Sequence, residues 1–214
     1  MLQFITHPHP DITILDEIRA AVAGGCRWVQ LRMKDAPADD IIAVARQAKP
    51  ICADNDCIFV VDDHVEIAKE LQLDGVHLGR NDMTPEEARE ILSMEAIIGV
   101  TANTFDDVER VRHLDIDYIG VGPFRFTTTK KQLSPVLGIE GYAEIVRRMK
   151  ESSIRLPIVA IGGITYDDID EIMATGVNGI AMSGAIVGAD DIAAETARIV
   201  DRLQHIIDKR LNNI

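Results

Sequence analysis

The stretch Trp28-Val-Gln-Leu-Arg-Met-Lys34 holds the densest set of side chains able to do chemistry. If it is extended, side chains alternate, so Gln30, Arg32 and Lys34 share one face while Val29, Leu31 and Met33 share the other. An amide, a guanidinium and an ammonium in one row suit a ligand rich in negative charge, because burying them without one or counter-charges is costly; a solvated strand end with internal ion pairs is the plainer alternative. Carboxylates follow at Asp62-Asp63 and at the end of Gly79-Arg-Asn-Asp82. Such hard oxygen donors are what Mg²⁺ takes alongside water and phosphate. Asp62 or Asp63 would equally serve to cap a helix beginning near His64.

Further on, Thr101 and Asn103 offer a hydroxyl and an amide, suited to orienting a polar ring or capping the next helix. The segment GPFRFTTTKKQLSPVLG, residues 122–138, is long, hydroxyl-rich and basic within an acidic chain. Thr127, Thr129 and Lys130 suit phosphate oxygens, and a loop that folds down excludes water. A polar surface loop is the plainer alternative. Gly162-Gly163-Ile-Thr165 and Met182-Ser183-Gly184 place small residues where an anion can approach backbone N–H groups. Ordinary tight turns would look the same, and Asp168 stands at capping-box spacing from Thr165. No convincing Ser–His–Asp set is present, and His77, inside the apolar run GVHLG, is expected to be a hydrogen-bonded core residue.

These residues need elements to position them. The chain repeats a short β-branched run, a polar or glycine-rich loop and an amphipathic helix. The runs are Leu2–Ile5, Trp28–Leu31, Ile58–Val61, Gly75–Leu78, Ile97–Val100, Tyr118–Val121, Ile158–Ile161 and Gly179–Met182. Helical patterns lie between them, ending in a long one over roughly Asp190–Leu211. This order predicts one (β/α)₈ TIM barrel over residues 1–214, with catalytic groups at the strand C-termini. A doubly wound open sheet is the competing fold, but no G-x-G-x-x-G follows the first strand.

The formal net charge of −13 argues against general affinity for nucleic acid or anionic membrane surfaces. Cys26, Cys52 and Cys57 lack metal-site or disulfide-framework spacing and are expected to be buried thiols. No apolar run reaches transmembrane length, and residues 1–10 do not read as a signal peptide, so a cytoplasmic protein is expected.

Taken together, VQLRMK (29–34), VVDDHVEIA (60–68), DGVHLGRNDM (74–83), IIGVTANT (97–104), DYIGVGPFRFTTTKK (117–131), PIVAIGGIT (157–165) and GIAMSGAIV (179–187) resemble thiamine-phosphate synthase, also called thiamine-phosphate pyrophosphorylase. The resemblance implies a homo-oligomeric (β/α)₈ enzyme. Its reaction displaces pyrophosphate from a hydroxymethylpyrimidine diphosphate by the nitrogen of a thiazole phosphate. Carried over by position, Gln30, Arg32, Lys34, Asp62, Thr101 and Lys130 would bind the pyrimidine diphosphate, with Arg32, Lys34 and Lys130 stabilising the leaving group. Asp63 and Asp82 would hold Mg²⁺, and Thr127, Thr129, Gly163, Ser183 and Gly184 would hold the thiazole phosphate. Asp62 and Thr101 stand where the family commonly has asparagine and serine. A thiazole tautomerase-type relative and a non-catalytic phosphate-binding barrel are the alternatives. Retention of Arg32, Lys34, Asp63 and Asp82 favours the synthase.

Overall fold

The computed structural model describes residues 1–126 and 135–212. Among them, eight parallel strands close in chain order into a barrel: β1 (Leu2–Ile5), β2 (Trp28–Leu31), β3 (Ile58–Asp62), β4 (Gly75–Leu78), β5 (Ile97–Ala102), β6 (Tyr118–Val121), β7 (Ile158–Ile161) and β8 (Gly179–Met182). The helices are α1 (Ile14–Ala23), α2 (Ala38–Ala53), α3 (Val65–Leu71), α4 (Pro85–Ile91), α5 (Phe105–Val111), α6 (Gly138–Glu151), α7 (Ile169–Ala174), α8 (Gly184–Val187) and α9 (Ile192–Asn212). The expected (β/α)₈ architecture is the one observed, and the open sheet is not. No described helix is long and apolar enough to cross a membrane.

Alternation along the strands sorts the apolar residues into two cores. Outward-facing Val29, Leu31, Phe59, Val61, Val76 and Leu78 join the helices in the large outer core. Inward-facing Ile5, Trp28, Tyr118, Val159 and Ala181 form a smaller one inside the barrel. The register fixes which residues share a level, for example Ile5 with Gln30, Gln30 with Val60, and Asp62 with His77.

Local chemistry sets the helix starts. Thr13, Thr84 and Thr104 each accept an N–H of the following turn, and Thr84 and Thr104 form reciprocal capping boxes with Glu87 and Asp107. Thr165 and Asp168 form the box anticipated from their spacing. Tyr142 of α6 is fully buried and ties two strand ends together: its hydroxyl donates to Val121 O (2.8 Å) and accepts from Ile161 N (3.2 Å). The three cysteines are buried free thiols, as expected, and burial pushes the Cys26 thiol up to about 11, which keeps it unreactive.

Candidate active site

The strand C-termini surround a cavity of about 320 Å³. Arg32, Thr101, Asn103, Gly163, Ser183 and Gly184 line it, with apolar walls from Ile5, Ile161, Ala181 and Met182. A smaller cleft of about 160 Å³, lined by Gly79, Arg80, Asp82 and Asp107, adjoins it through the shared Thr101.

The charged side of the rim comes from β2, β3 and β4. Arg32 follows the last residue of β2, and Thr6 staples its backbone by accepting from Arg32 N (2.8 Å) and donating to Arg32 O (3.0 Å). Its guanidinium Nε is 3.2 Å from Asp62 Oδ2, and both side chains are mostly buried. Asp63 has a left-handed backbone, φ 65°, unusual for a non-glycine residue, and its N–H donates to His77 O. Asp82 Oδ2 accepts from Gly79 N (2.6 Å). A Cβ built on Gly79 would stand 2.5 Å from Asp82 Oδ2 and 3.9 Å from Asp63 Oδ1, so both carboxylates converge on that glycine.

Partial desolvation, then Asp62 and a hydrogen bond shared with Asp82, push Asp63 up to about 8, against the pull of Arg32. Asp63 is solvent-exposed, so its acidic neighbours weigh most in that shift. Helix capping, the alternative for Asp62-Asp63, does not occur, because α3 starts after His64 with no side-chain cap bond. The donor set fits a hard divalent cation: oxygen ligands crowded enough to hold a proton between them. Among the described residues, no group of three or more such side chains forms a complete cage. An ion there would therefore take further oxygens from substrate and water.

The opposite side comes from β7 and β8 and is built of backbone. Gly162 and Gly163 both have positive φ, 102° and 71°, which glycine alone adopts readily. A Cβ at Gly163 would meet Arg125 Cγ at 2.5 Å, whereas one at Gly184 would meet nothing within 4 Å and would project into open space. Arg125 clamps this side: its guanidinium donates to Gly163 O (2.9 Å) and to both carboxylate oxygens of Asp168 (2.8 and 2.6 Å). The Arg125 pairing and the Thr165 capping bonds outweigh partial burial and hold the Asp168 carboxyl below the usual carboxylate range.

Of the sequence-predicted residues, the cavity gathers Arg32, Thr101, Gly163, Ser183 and Gly184, and the cleft beside it takes Asp82. Gln30 is buried inside the barrel below Arg32, with its Nε2 lacking a hydrogen-bond partner. Lys34 stands exposed in the turn beyond β2, outside the cavity lining, because the strand ends at Leu31 and alternation does not carry past it. Thr127, Thr129 and Lys130 lie outside the described residues. Sequence reasoning missed Arg125, and offered Asn103 as a group to orient a polar ring or cap the next helix. Asn103 is buried, donates through Nδ2 to Gly122 O, and receives support from Asp107, whose carboxylate accepts from its N–H (2.9 Å). Asp107 also pairs with Arg80 at 2.7 Å and with Arg110.

A family model described as thiamine monophosphate synthase matches residues 2–186. A Bacteroides thetaiotaomicron protein named thiamine-phosphate synthase is 56% identical over 200 residues, 94% of this chain and 96% of that one. A Phocaeicola vulgatus protein of the same name is 58% identical with the same coverage. The solved thiamine phosphate pyrophosphorylase from Pyrococcus furiosus matches with a TM-score of 0.85 at 32% identity over 96% of each chain. By model, relatives and structure alike, the chain belongs to the thiamine monophosphate synthase family.

Proposed function

We propose that this chain condenses a hydroxymethylpyrimidine diphosphate with a thiazole phosphate, giving thiamine phosphate and pyrophosphate, with Mg²⁺ held by Asp63 and Asp82. Family membership supports the overall reaction. The observation that carries it to these residues is the meeting of Arg32, Thr101, Gly163, Ser183 and Gly184 around one cavity, with Asp82 beside it.

In the chemical step the bond between the pyrimidine methylene and the diphosphate oxygen breaks, and its electron pair leaves with pyrophosphate. The thiazole nitrogen lone pair then forms the new C–N bond to that methylene. Bound Mg²⁺ would supply charge stabilisation for the departing oxygens. Arg32 faces the same developing charge, and its bond to Asp62 fixes its direction before substrate arrives. Lys130 is assigned a second cationic contact from the sequence match. The walls of Ile5, Ile161, Ala181 and Met182 keep water from capturing the cationic methylene. Thr101 orients the pyrimidine, with Gln30 beneath it. The small-residue turns at Gly163, Ser183 and Gly184 receive the thiazole phosphate.

His77 has both ring nitrogens engaged and is 6% exposed, which speaks against its use as a tautomerase base. A homo-oligomer, on the family resemblance, and a cytoplasmic location belong to the same reading. The test is pyrophosphate release with Mg²⁺, omitting each substrate in turn. Release that requires both substrates is expected. Rearrangement of a thiazole without the pyrimidine diphosphate would point to the tautomerase branch instead.

A further inference from the structure

Below the cavity, side chains from four strands are joined end to end. Gln3 Nε2 of β1 donates to the Tyr118 hydroxyl of β6 (3.1 Å), which is 2.9 Å from His77 Nδ1 of β4. His77 Nε2 is in turn 3.0 Å from Thr101 Oγ1 of β5, and Thr101 lines the cavity. Gln3, Tyr118 and His77 are 1%, 3% and 6% exposed, so the chain runs through the barrel interior and surfaces only at Thr101.

The barrel is shaped to hold this chain. A Cβ on Gly99 would overlap the Tyr118 ring, and one on Gly120 would stand 2.9 Å from His77 Cε1. Trp28 packs edge-on against Tyr118, with ring centroids 4.7 Å apart. Two interior strand positions are thus left without side chains where the phenol and the imidazole must lie.

The Gln3 amide nitrogen only donates, so it occupies a lone pair on the Tyr118 oxygen. Burial pushes the Tyr118 phenol well above its ordinary value, so it keeps its proton. With that proton directed to His77 Nδ1 rather than to the neighbouring Gln30, Nδ1 is the bare nitrogen, Nε2 carries the proton and donates to Thr101 Oγ1. A doubly protonated imidazole would also donate from Nε2. Either way, the Thr101 oxygen accepts from below and its own proton turns towards the cavity.

We propose that Gln3, Tyr118 and His77 are positioning residues that fix the Thr101 hydroxyl as a hydrogen-bond donor, so the cavity selects a ring presenting a nitrogen lone pair there. This rests on the reading that a pyrimidine lies against Thr101. It adds the polarity of that contact and the residues that set it.

The proposal is tested first on the free enzyme by ¹⁵N NMR of the His77 ring, assigned by the loss of its signals in His77→Gln. A proton on Nε2 is expected. A neutral imidazole protonated on Nδ1 would overturn the relay whatever reaction the enzyme performs. Kinetics form the second arm, reported as separate KM values for the two substrates. Tyr118→Phe should raise the KM of the pyrimidine diphosphate about tenfold, the loss of one oriented hydrogen bond. The thiazole phosphate KM should stay within about twofold. His77→Gln, which keeps a donor near the Nε2 position, should recover most of the pyrimidine loss seen with His77→Leu, and this pair serves if Tyr118→Phe does not fold. Equal losses in Gln and Leu, or equal shifts for both substrates, would refute the assignment.

Discussion

On one side of the barrel mouth, the ends of β2, β3 and β4 present Arg32, Asp62, Asp63 and Asp82; on the other, β7 and β8 lead into Gly162, Gly163, Ser183 and Gly184. The first side is held by ionisable side chains that perturb one another, with Asp63 pushed up to about 8. The second presents main chain, and its charges, Arg125 and Asp168, neutralise each other behind the turn they support. Charged groups whose state shifts with a ligand suit a leaving group that gains charge during the reaction. Preformed main-chain turns suit a phosphate whose charge stays constant. On the proposed reading the charged side serves the leaving group and the main-chain side the thiazole phosphate, a division that variants can test.

The largest effect is expected from Asp82→Ala, which removes the acceptor for Gly79 N and one of the two proposed cation ligands. It should lower kcat/KM by roughly 10²–10³-fold, about 3–4 kcal/mol of transition-state stabilisation, with little change in thiazole phosphate KM. Lys130→Ala is predicted to behave alike, and loss of thiazole affinity instead would break the division. Steady-state kinetics with each substrate varied separately would show it.

Next in size is a pH effect at the seam between the sides. Glu17 of α1 is buried and accepts from His7 N (3.1 Å), just beyond β1. Burial pushes its carboxyl from the ordinary 4.5 up to about 7, and the His7 bond only partly offsets this. Between those values the folded chain retains a proton that the unfolded chain has released. Stability therefore falls as pH rises from about 4.5 through about 7 and stays lower above it. Glu17→Gln should flatten that slope, by on the order of 2 kcal/mol between pH 4 and pH 8 in denaturant titrations.

Gly184→Ala sharpens the contrast from the other side. Its added methyl meets no protein atom, so the melting temperature should hold or rise, since alanine is the better helix former. With the thiazole phosphate in that space, as proposed, the methyl should raise its KM about tenfold, or about 1.4 kcal/mol, and leave the pyrimidine diphosphate KM alone. Smallest is Arg125→Ala. Its ion pair with Asp168 is half-exposed on the arginine side, so about 1 kcal/mol of stability is expected to go, with a modest loss of thiazole phosphate affinity. Thermal melts in parallel with kinetics distinguish these two variants.

Much of this arrangement was legible before the fold was known. Six of the eight strands have the bounds their β-branched runs suggest, and β3 and β5 merely extend to Asp62 and Ala102. The period-two pattern of β2 placed Val29 and Leu31 outside and Gln30 inside. It failed at Lys34 because the ladder stops at Leu31 and a turn takes over. Helix α8 was invisible because four residues are too few to show a 3.6-residue period. Arg125 with Asp168, and Asn103 with Gly122, are contacts across 43 and 19 positions, which no local spacing encodes. The left-handed backbone of Asp63 has no sequence signature either, since glycine is the residue that announces such a turn.

The division of the rim is tested most directly by a crystal structure with Mn²⁺ in place of Mg²⁺, an unreactive pyrimidine diphosphate analogue and the thiazole phosphate. Anomalous density bridging Asp63 and Asp82 to the diphosphate is expected, with the single phosphate seated against Gly163, Ser183 and Gly184. A metal ion bound away from both aspartates, or the diphosphate in the glycine turns, would contradict it.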